Sequence, residues 1–311
     1  METLFIDRKG VQLTAVKERL SITATDIRSM SVPFANICRI VVSTQLTITT
    51  ALISKLAEHD IELLVINHRC YEHSVTMLPT FKANPMRRYK QYELFSSQSG
   101  ILANRLMRIK ISQQLHAISA LARHYPKVPL SAIMRGCKAI TQAHQAIKDA
   151  QGQVAPHVLL GIEGTAAKEY FAVISAVLPS SFEFTGRNRR PPRDPFNALL
   201  SLTYTLLYSE ACKALFGAGL DPMFGCYHKL SYSRQSLACD LMELFRVSAD
   251  LWLVQQVKTQ IFRPEHFTFH THDGCRLTKT ARQLFYPAYQ GQAKQWRAQM
   301  RRRISQLLGV L

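Results

Sequence analysis

In the stretch LLGIEGTAAKEYF, residues 159–171, helical spacing places Leu159, Ile162, Ala166, Ala167 and Tyr170 on one face. Glu163 falls on that same apolar face, flanked by Gly161 and Gly164. A carboxylate there loses water, and it stays ionised only where a cation or a strong donor meets it. A second stretch, GLDPMFGCYHKLSYSRQSLACDLMELF, carries His228 in a Gly- and Pro-punctuated loop, and the pattern predicts a helix starting near Ser233 or Ser236. On that helix Leu237, Leu241, Leu244 and Phe245 form the core stripe, while Asp240 and Glu243, at i and i+3, project together from another face. Two such carboxylates repel unless a divalent cation holds them. Between these stretches, FTGRNRRPPRDPFNALL packs Arg187, Arg189, Arg190 and Arg193 into a loop stiffened by Pro191, Pro192 and Pro195. Guanidinium forks bind phosphate bidentately, and proline lowers the entropy cost of ordering such a loop.

Two or three carboxylates, one imidazole and an arginine-dense loop meet the needs of metal-assisted phosphodiester chemistry. Hard oxygen ligands with one histidine suit Mg²⁺ or Mn²⁺. Such an ion lowers the pKa of an attacking hydroxyl and stabilises charge on the leaving oxygen. Taken singly, each feature has a plainer account. A lone glutamate on an apolar face commonly pairs with an arginine or a cap, and an acidic pair on a helix is commonly a solvated face. The arginine run is open to the same reading, with Asp194 as a partner for one of its members.

The elements that must position these residues change character along the chain. TLFID, GVQLTAV, RLSIT, ICRIVVS, IELLVI and SVTML are short Val-, Ile-, Leu- and Thr-rich runs that predict strands, interrupted by one helix at TTALISKLAEHD. KANPMRRYKQ reads as a linker. From about Gln91 onward long amphipathic runs predict a nearly all-helical region, with YELFSSQSGILANRLMRIKISQQLHAISALARHY the clearest. The fold class expected is therefore α+β: a small β-rich domain over residues 1–85 and a larger α-helical domain over 86–311 that carries the chemistry.

Lys and Arg number 39 against 21 acids, giving a formal net charge of +18, with a pI near 9.8. So basic a balance points to a polyanionic partner such as DNA, RNA or an acidic membrane surface. The membrane reading is the weak one: METLFIDRKGVQL lacks a basic region followed by an apolar run, so no signal peptide is expected. The most apolar stretch, NALLSLTYTLLYSEACKALFGAGL, is broken by Glu210 and Lys213 and reads as a buried core helix. Seven scattered cysteines, never in C-x-x-C spacing, argue against a disulfide framework and for a reducing, cytoplasmic setting.

GIEGTAAKEYF, FTGRNRRPPRDPFNALLSLTYTLL, GLDP leading to His228, and SLACDLMELFR, in that order and at those separations, resemble the CRISPR-associated protein one family, the catalytic subunit of the spacer-acquisition complex. NRLMRIKISQQ and GCRLTKTARQLFYPAY resemble its flanking helical regions, and the β-then-α layout extends the likeness to the N-terminus. The resemblance implies a metal-dependent DNA endonuclease and integrase that inserts short foreign fragments into a CRISPR array, by attack of a DNA 3′-hydroxyl on a phosphodiester at a repeat end. It implies Glu163, His228 and Glu243 as ligands of Mg²⁺ or Mn²⁺, Asp240 as a supporting acid, and Arg187, Arg189, Arg190, Arg193 and Arg234 as DNA contacts. It also implies homodimers, two of which bridge through a small dimeric partner, CRISPR-associated protein two, with the β-rich domain making dimer and partner contacts. Two departures stand out: Val247 where a proline often follows the arginine, and Cys226 and Tyr227 before the histidine where apolar residues are usual.

Other readings compete. A stand-alone nuclease or a transposon-borne integrase of the same fold shares these motifs; an extra terminal DNA-binding domain would favour the transposon version, and none is expected here. A non-catalytic DNA-binding scaffold would have no need of an acid cluster beside DNA. HFTFHTHDGC, with His266, His270, His272 and Asp273, invites a zinc reading, though alternating histidines in such a run more often mark a strand-like surface segment. QWRAQMRRRISQLLGVL reads more simply as a basic helix for DNA or a partner than as a membrane-surface helix.

Overall fold

The computed structural model describes residues 2–25, 27–69, 71–77, 83–150, 153–188, 191–228, 231, 234–270 and 274–311, apart from the side chains at 27 and 72. Strands come first: β1 (Glu2–Ile6), β2 (Gln12–Val16), β3 (Arg19–Ala24), β4 (Ile27–Pro33) and β5 (Ile37–Val42). Helix α1 (Thr50–Glu58), then β6 (Glu62–Val65) and β7 (Val75–Met77), follow. The rest is helical: α2 (Pro85–His124), α3 (Leu130–Asp149), α4 (Pro156–Val177), α5 (Pro195–Gly217) and α6 (Ser236–Lys258). A hairpin of β8 (Phe267–His270) and β9 (Gly274–Leu277) precedes the long last helix, α7 (Lys279–Leu308). The architecture is α+β, a β-rich region followed by a mostly helical one.

The chain forms two compact units. The first comprises Met1–Lys82 with Lys279–Gln295, and the second Ala83–Thr278 with Trp296–Leu311. A boundary near residue 85 is what the sequence alone suggests; the first half of α7 packs with the β-rich unit as well.

In the first unit β1, β5 and β6 run parallel, and β7 pairs antiparallel with β6, giving the order β1-β5-β6-β7. β2, β3 and β4 make a separate antiparallel meander. Leu13, Leu20, Ile22, Phe34, Ile40, Leu52 and Leu56 fill the core between them. Arg39 and Glu62 face each other in register across β5 and β6, buried, with Nε donating to Oε2 at 2.7 Å. From α7, Tyr286 stacks on Phe5 and Arg282 pairs with Asp7 at 2.8 Å. β4 is a strand that reading by composition passes over, because IRSMSVP lacks both alternation and β-branched density.

In the second unit α5 is buried on nearly every side, as a continuously apolar helix must be. Its one buried acid beyond the first turn, Glu210, receives Arg297 at 3.0 Å. Among the described residues, no helix is long and apolar enough to cross a membrane. The segment read as a linker is in fact the start of α2: Asn84 caps it by accepting the Arg87 N–H at 3.0 Å, and Pro85 takes the first helical position, where its missing N–H costs nothing.

Candidate active site

Three helices and one loop bring the chemical side chains together. On α2, the buried stripe Ala103, Leu106, Met107, Ile111, Ala117 and Ile118 also contains Lys110 and Gln114. On α4, Leu159, Ala166 and Tyr170 are buried, and Glu163 shares their face. On α6, which starts at Ser236, Leu237, Leu241 and Phe245 are core, yet Asp240 and Glu243 are each only 3% exposed. The acidic pair is therefore an interior pair rather than a solvated face, and each member has its own partners.

Asp240 organises the loop that carries His228. Its Oδ2 accepts the amides of Cys226 at 2.6 Å and Tyr227 at 3.0 Å, and its Oδ1 accepts the amide of His228 at 3.0 Å. The loop approaches so closely because residue 225 is glycine: a Cβ there would lie 2.6 Å from Asp240 Oδ2. Asp240 Oδ1 also receives His228 Nδ1 at 2.6 Å. The carboxylate only accepts, so Nδ1 carries the hydrogen; in the neutral imidazole Nε2 then presents its lone pair, 3.8 Å from Glu243 Oε1. Burial and the Asp240 charge push the Cys226 thiol well above its ordinary range, so the cysteine beside this loop stays a thiol.

What meets Glu163 is Lys110. The ammonium lies 2.6 Å from Glu163 Oε1 and 2.7 Å from Glu243 Oε2. Glu243 Oε1 is also 3.0 Å from Arg246 Nε. Burial pushes the Glu243 carboxyl up, but Arg246 and Lys110 pull it further down, to about 2. Two carboxylates thus share the Lys110 ammonium, and the His228 imidazole approaches the other oxygen of Glu243. Among the described residues, no three His, Cys, Asp or Glu side chains are drawn close enough to hold a metal as they stand, and the Lys110 ammonium lies between the two glutamates. The donor set nevertheless fits a hard divalent cation: hard oxygens dominate it, and the imidazole is oriented by a carboxylate behind it.

A cavity of about 960 Å³ opens beside this position. Lys110, Glu163, Arg187, Arg193 and Arg246 contribute to its wall. Arg187 and Arg193 are held by a polar knot at the start of α5. Asn197 Oδ1 accepts from Arg187 at 2.8 Å, Asn188 Oδ1 accepts the Arg193 amide at 2.8 Å, and both asparagines donate to Asp194. Burial raises the Asp194 carboxyl, against the asparagine hydrogen bonds that lower it, and Asp194 also caps α5 through the Asn197 amide. The β8–β9 hairpin braces the other side of the loop: the Cys275 N–H donates to Pro192 O at 2.7 Å. Gly274, at φ +72°, permits this approach, since a Cβ there would lie 2.3 Å from the same oxygen.

Arg189 and Arg190 lie outside the described residues. Arg234 is exposed on the turn before α6 and is not among the described residues that line the cavity. At the competing histidine run, His266 Nδ1 accepts the Arg263 N–H at 3.3 Å and His270 faces Thr268 at 3.3 Å, while His272 and Asp273 lie outside the described residues. Val247, the departure after Arg246, is buried within an unbroken α6.

Lys110, Arg246, Tyr204 and Asp250 belong to the site although motif reading does not single them out. Two guanidinium groups lie over the Tyr204 ring, Arg246 at 4.8 Å and Arg187 at 5.5 Å from its centroid. Its hydroxyl donates to Asp250 Oδ1 at 2.5 Å. Burial raises the Asp250 carboxyl to about 6, with the Tyr204 hydrogen bond and Arg246 pulling the other way. The available signal is a polar residue at a core position, the same one that marks Glu163.

The family model for CRISPR associated protein Cas1 matches residues 4–291. A CRISPR-associated endonuclease Cas1 of Thermodesulfovibrio yellowstonii is 34% identical over 306 residues, covering 97% of this chain and 93% of its own length. Among solved structures, a Cas1 protein from Thermotoga maritima matches with a TM-score of 0.80 at 23% identity, covering 99% of this chain and 96% of that one. A casposase bound to integration product matches at 0.77 and 22%, covering 93% and 82%. A Cas6-RT-Cas1–Cas2 complex matches at 0.74 and 23%, covering 97% of this chain and 35% of that one. At these identities the solved structures show a common fold. The family model and the near full-length relative go further: the chain belongs to the Cas1 family of CRISPR-associated endonucleases.

Proposed function

We propose that this protein inserts short DNA fragments into a CRISPR array as a metal-dependent endonuclease and integrase, joining a fragment's 3′-hydroxyl to a phosphodiester at a repeat end. The observation that carries this reading is the meeting of Glu163 and Glu243 on one cation position beside a basic cavity, with His228 Nε2 3.8 Å from the other Glu243 oxygen. Glu163, His228 and Glu243 hold Mg²⁺ or Mn²⁺, and Asp240 positions His228. When bound, the divalent ion supplies Lewis acidity to the attacking hydroxyl and the leaving oxygen.

The chain's own groups do the rest. Arg187 and Arg193, held rigid by the asparagine knot, bind backbone phosphates at the cavity, with Arg189, Arg190 and Arg234 extending the basic track. Gly161 and Gly164 each have open space where a Cβ would stand, so a DNA backbone can come close to Glu163. Arg246, stacked on Tyr204, balances the second charge of the acid pair. The β-rich unit serves dimerisation and partner contacts: β7 ends its sheet with Val75 57% and Met77 41% exposed, a patch for a second copy to cover. A solved complex of the same fold contains Cas2, which supports that protein as a partner, and the casposase product complex supports joining rather than cutting alone.

The test is to incubate the protein, with and without the small partner, with labelled short DNA bearing free 3′-hydroxyls and a supercoiled repeat-containing plasmid. Label should join the plasmid in Mn²⁺ or Mg²⁺, and not in EDTA or with Glu163→Ala. Cutting without joining would favour a nuclease, and binding without either reaction a scaffold.

A further inference from the structure

Lys110 sits between the two glutamates that the ligand reading gives to the metal. It is 6% exposed, and its ammonium touches one oxygen of each catalytic glutamate, at 2.6 and 2.7 Å. A lysine from α2 bridges the two carboxylates from α4 and α6, and Arg246 balances the second negative charge. An ammonium and a divalent cation at those oxygens compete for their lone pairs and repel one another at that range.

We propose that Lys110 is the resident cation of the metal-free site, holding Glu163 and Glu243 in place until a divalent ion displaces it into the adjoining cavity. The proposal rests on the ligand assignment given above. Two observations give the displaced ammonium somewhere to go. Lys110 already lines the cavity. One helical turn along α2, Gln114 lines it too, 2% exposed, with its Oε1 lacking any hydrogen-bond partner. Residues at i and i+4 are neighbours on a helix, so this oxygen is within reach of the lysine. A DNA phosphate entering the same cavity offers a second acceptor. Lys110 is thus a positioning residue that acts through the two glutamates, and metal entry and substrate charge favour the same movement.

The test uses Mn²⁺ as probe and full-length protein. Calorimetric Mn²⁺ titrations compare wild type, Lys110→Met, which keeps the stem and removes the charge, and Glu163→Gln. Lys110→Met should bind Mn²⁺ at least about tenfold more tightly, because the competing ion pair is gone. Independently, wild-type protein is treated with formaldehyde and a mild reductant, and methylation at Lys110 is read by mass spectrometry. Lys110 should be protected without metal and labelled at least about tenfold faster at saturating Mn²⁺, as expected when a buried side chain becomes exposed. Unchanged Lys110 labelling in Mn²⁺ would overturn the proposal even if the methionine variant does not fold. Equal or weaker Mn²⁺ binding by folded Lys110→Met would overturn it too. If Glu163→Gln binds Mn²⁺ as wild type does, the ligand assignment itself fails.

Discussion

The Nδ1–H of His228 donates to Asp240 Oδ1 at 2.6 Å, while the same carboxylate gathers the amides of residues 226, 227 and 228. One acid therefore fixes both the loop's path and the imidazole's tautomer. Glu243, one helical turn later, faces Lys110 and Arg246 instead.

Asp240→Asn should keep the fold but lose this control, because an amide cannot accept all four donors. Mn²⁺ affinity should fall about 10- to 100-fold, the usual effect of removing a carboxylate behind a metal-bound histidine. Integration should fall at least as far. Gly225→Ala should produce the same loss by forcing the loop off Asp240. Titration of both variants against wild type checks this.

Acidity should affect metal-free protein in two opposite windows. Glu243 is lowered from 4.5 to about 2 in the folded state, so its stabilisation is present above pH 4.5 and is lost as pH falls toward 2. Asp250 is raised from 3.8 to about 6, so its stabilisation is present below pH 3.8 and is lost as pH rises through 6. Each window is worth roughly 3 kcal/mol at most. Urea denaturation in EDTA should show Asp250→Asn flattening the profile between pH 4 and 6, and Glu243→Gln flattening it below pH 4.5.

Gly274→Ala should damage DNA binding without touching the metal position. The substitution puts a Cβ against Pro192 O at a positive φ, so the hairpin can no longer brace the arginine loop. A stability loss of about 1–3 kcal/mol is expected. DNA affinity should fall while Mn²⁺ affinity stays at the wild-type value.

Arg193→Ala should weaken duplex binding evenly across sequences. One lost phosphate contact lowers the slope of log affinity against log salt by about 0.9. An unchanged slope would remove Arg193 from the DNA track.

Part of this site is legible in the sequence because Glu163 violates the helical period of α4, while Asp240 and Glu243 stand out as an adjacent acidic pair close after a loop histidine. Their burial is not legible, since the sequence puts them on a face away from the α6 core stripe. Lys110 breaks the α2 stripe as Glu163 breaks that of α4, but a lysine stem can cover apolar surface with its head in water, so its burial is not evident locally. The strands β1, β2, β3, β5, β6 and β7 follow from short β-branched runs, whereas β4 does not. Long-range partnerships are harder still. Nothing near Arg39 names Glu62, and nothing near Gly274 names Pro192, because both depend on which segments the fold brings side by side. The packing of Lys279–Gln295 with the β-rich unit is of that kind as well.

The central claim is that Glu163, His228 and Glu243 share one divalent ion, and crystals soaked in Mn²⁺ test it most directly. The account predicts an anomalous peak about 2.0–2.3 Å from a Glu163 oxygen, a Glu243 oxygen and His228 Nε2, the range for such ligands. The Lys110 ammonium should have left that position. A peak at the His266–His270 strand instead, or Mn²⁺ bound with Lys110 still between the two glutamates, would contradict it.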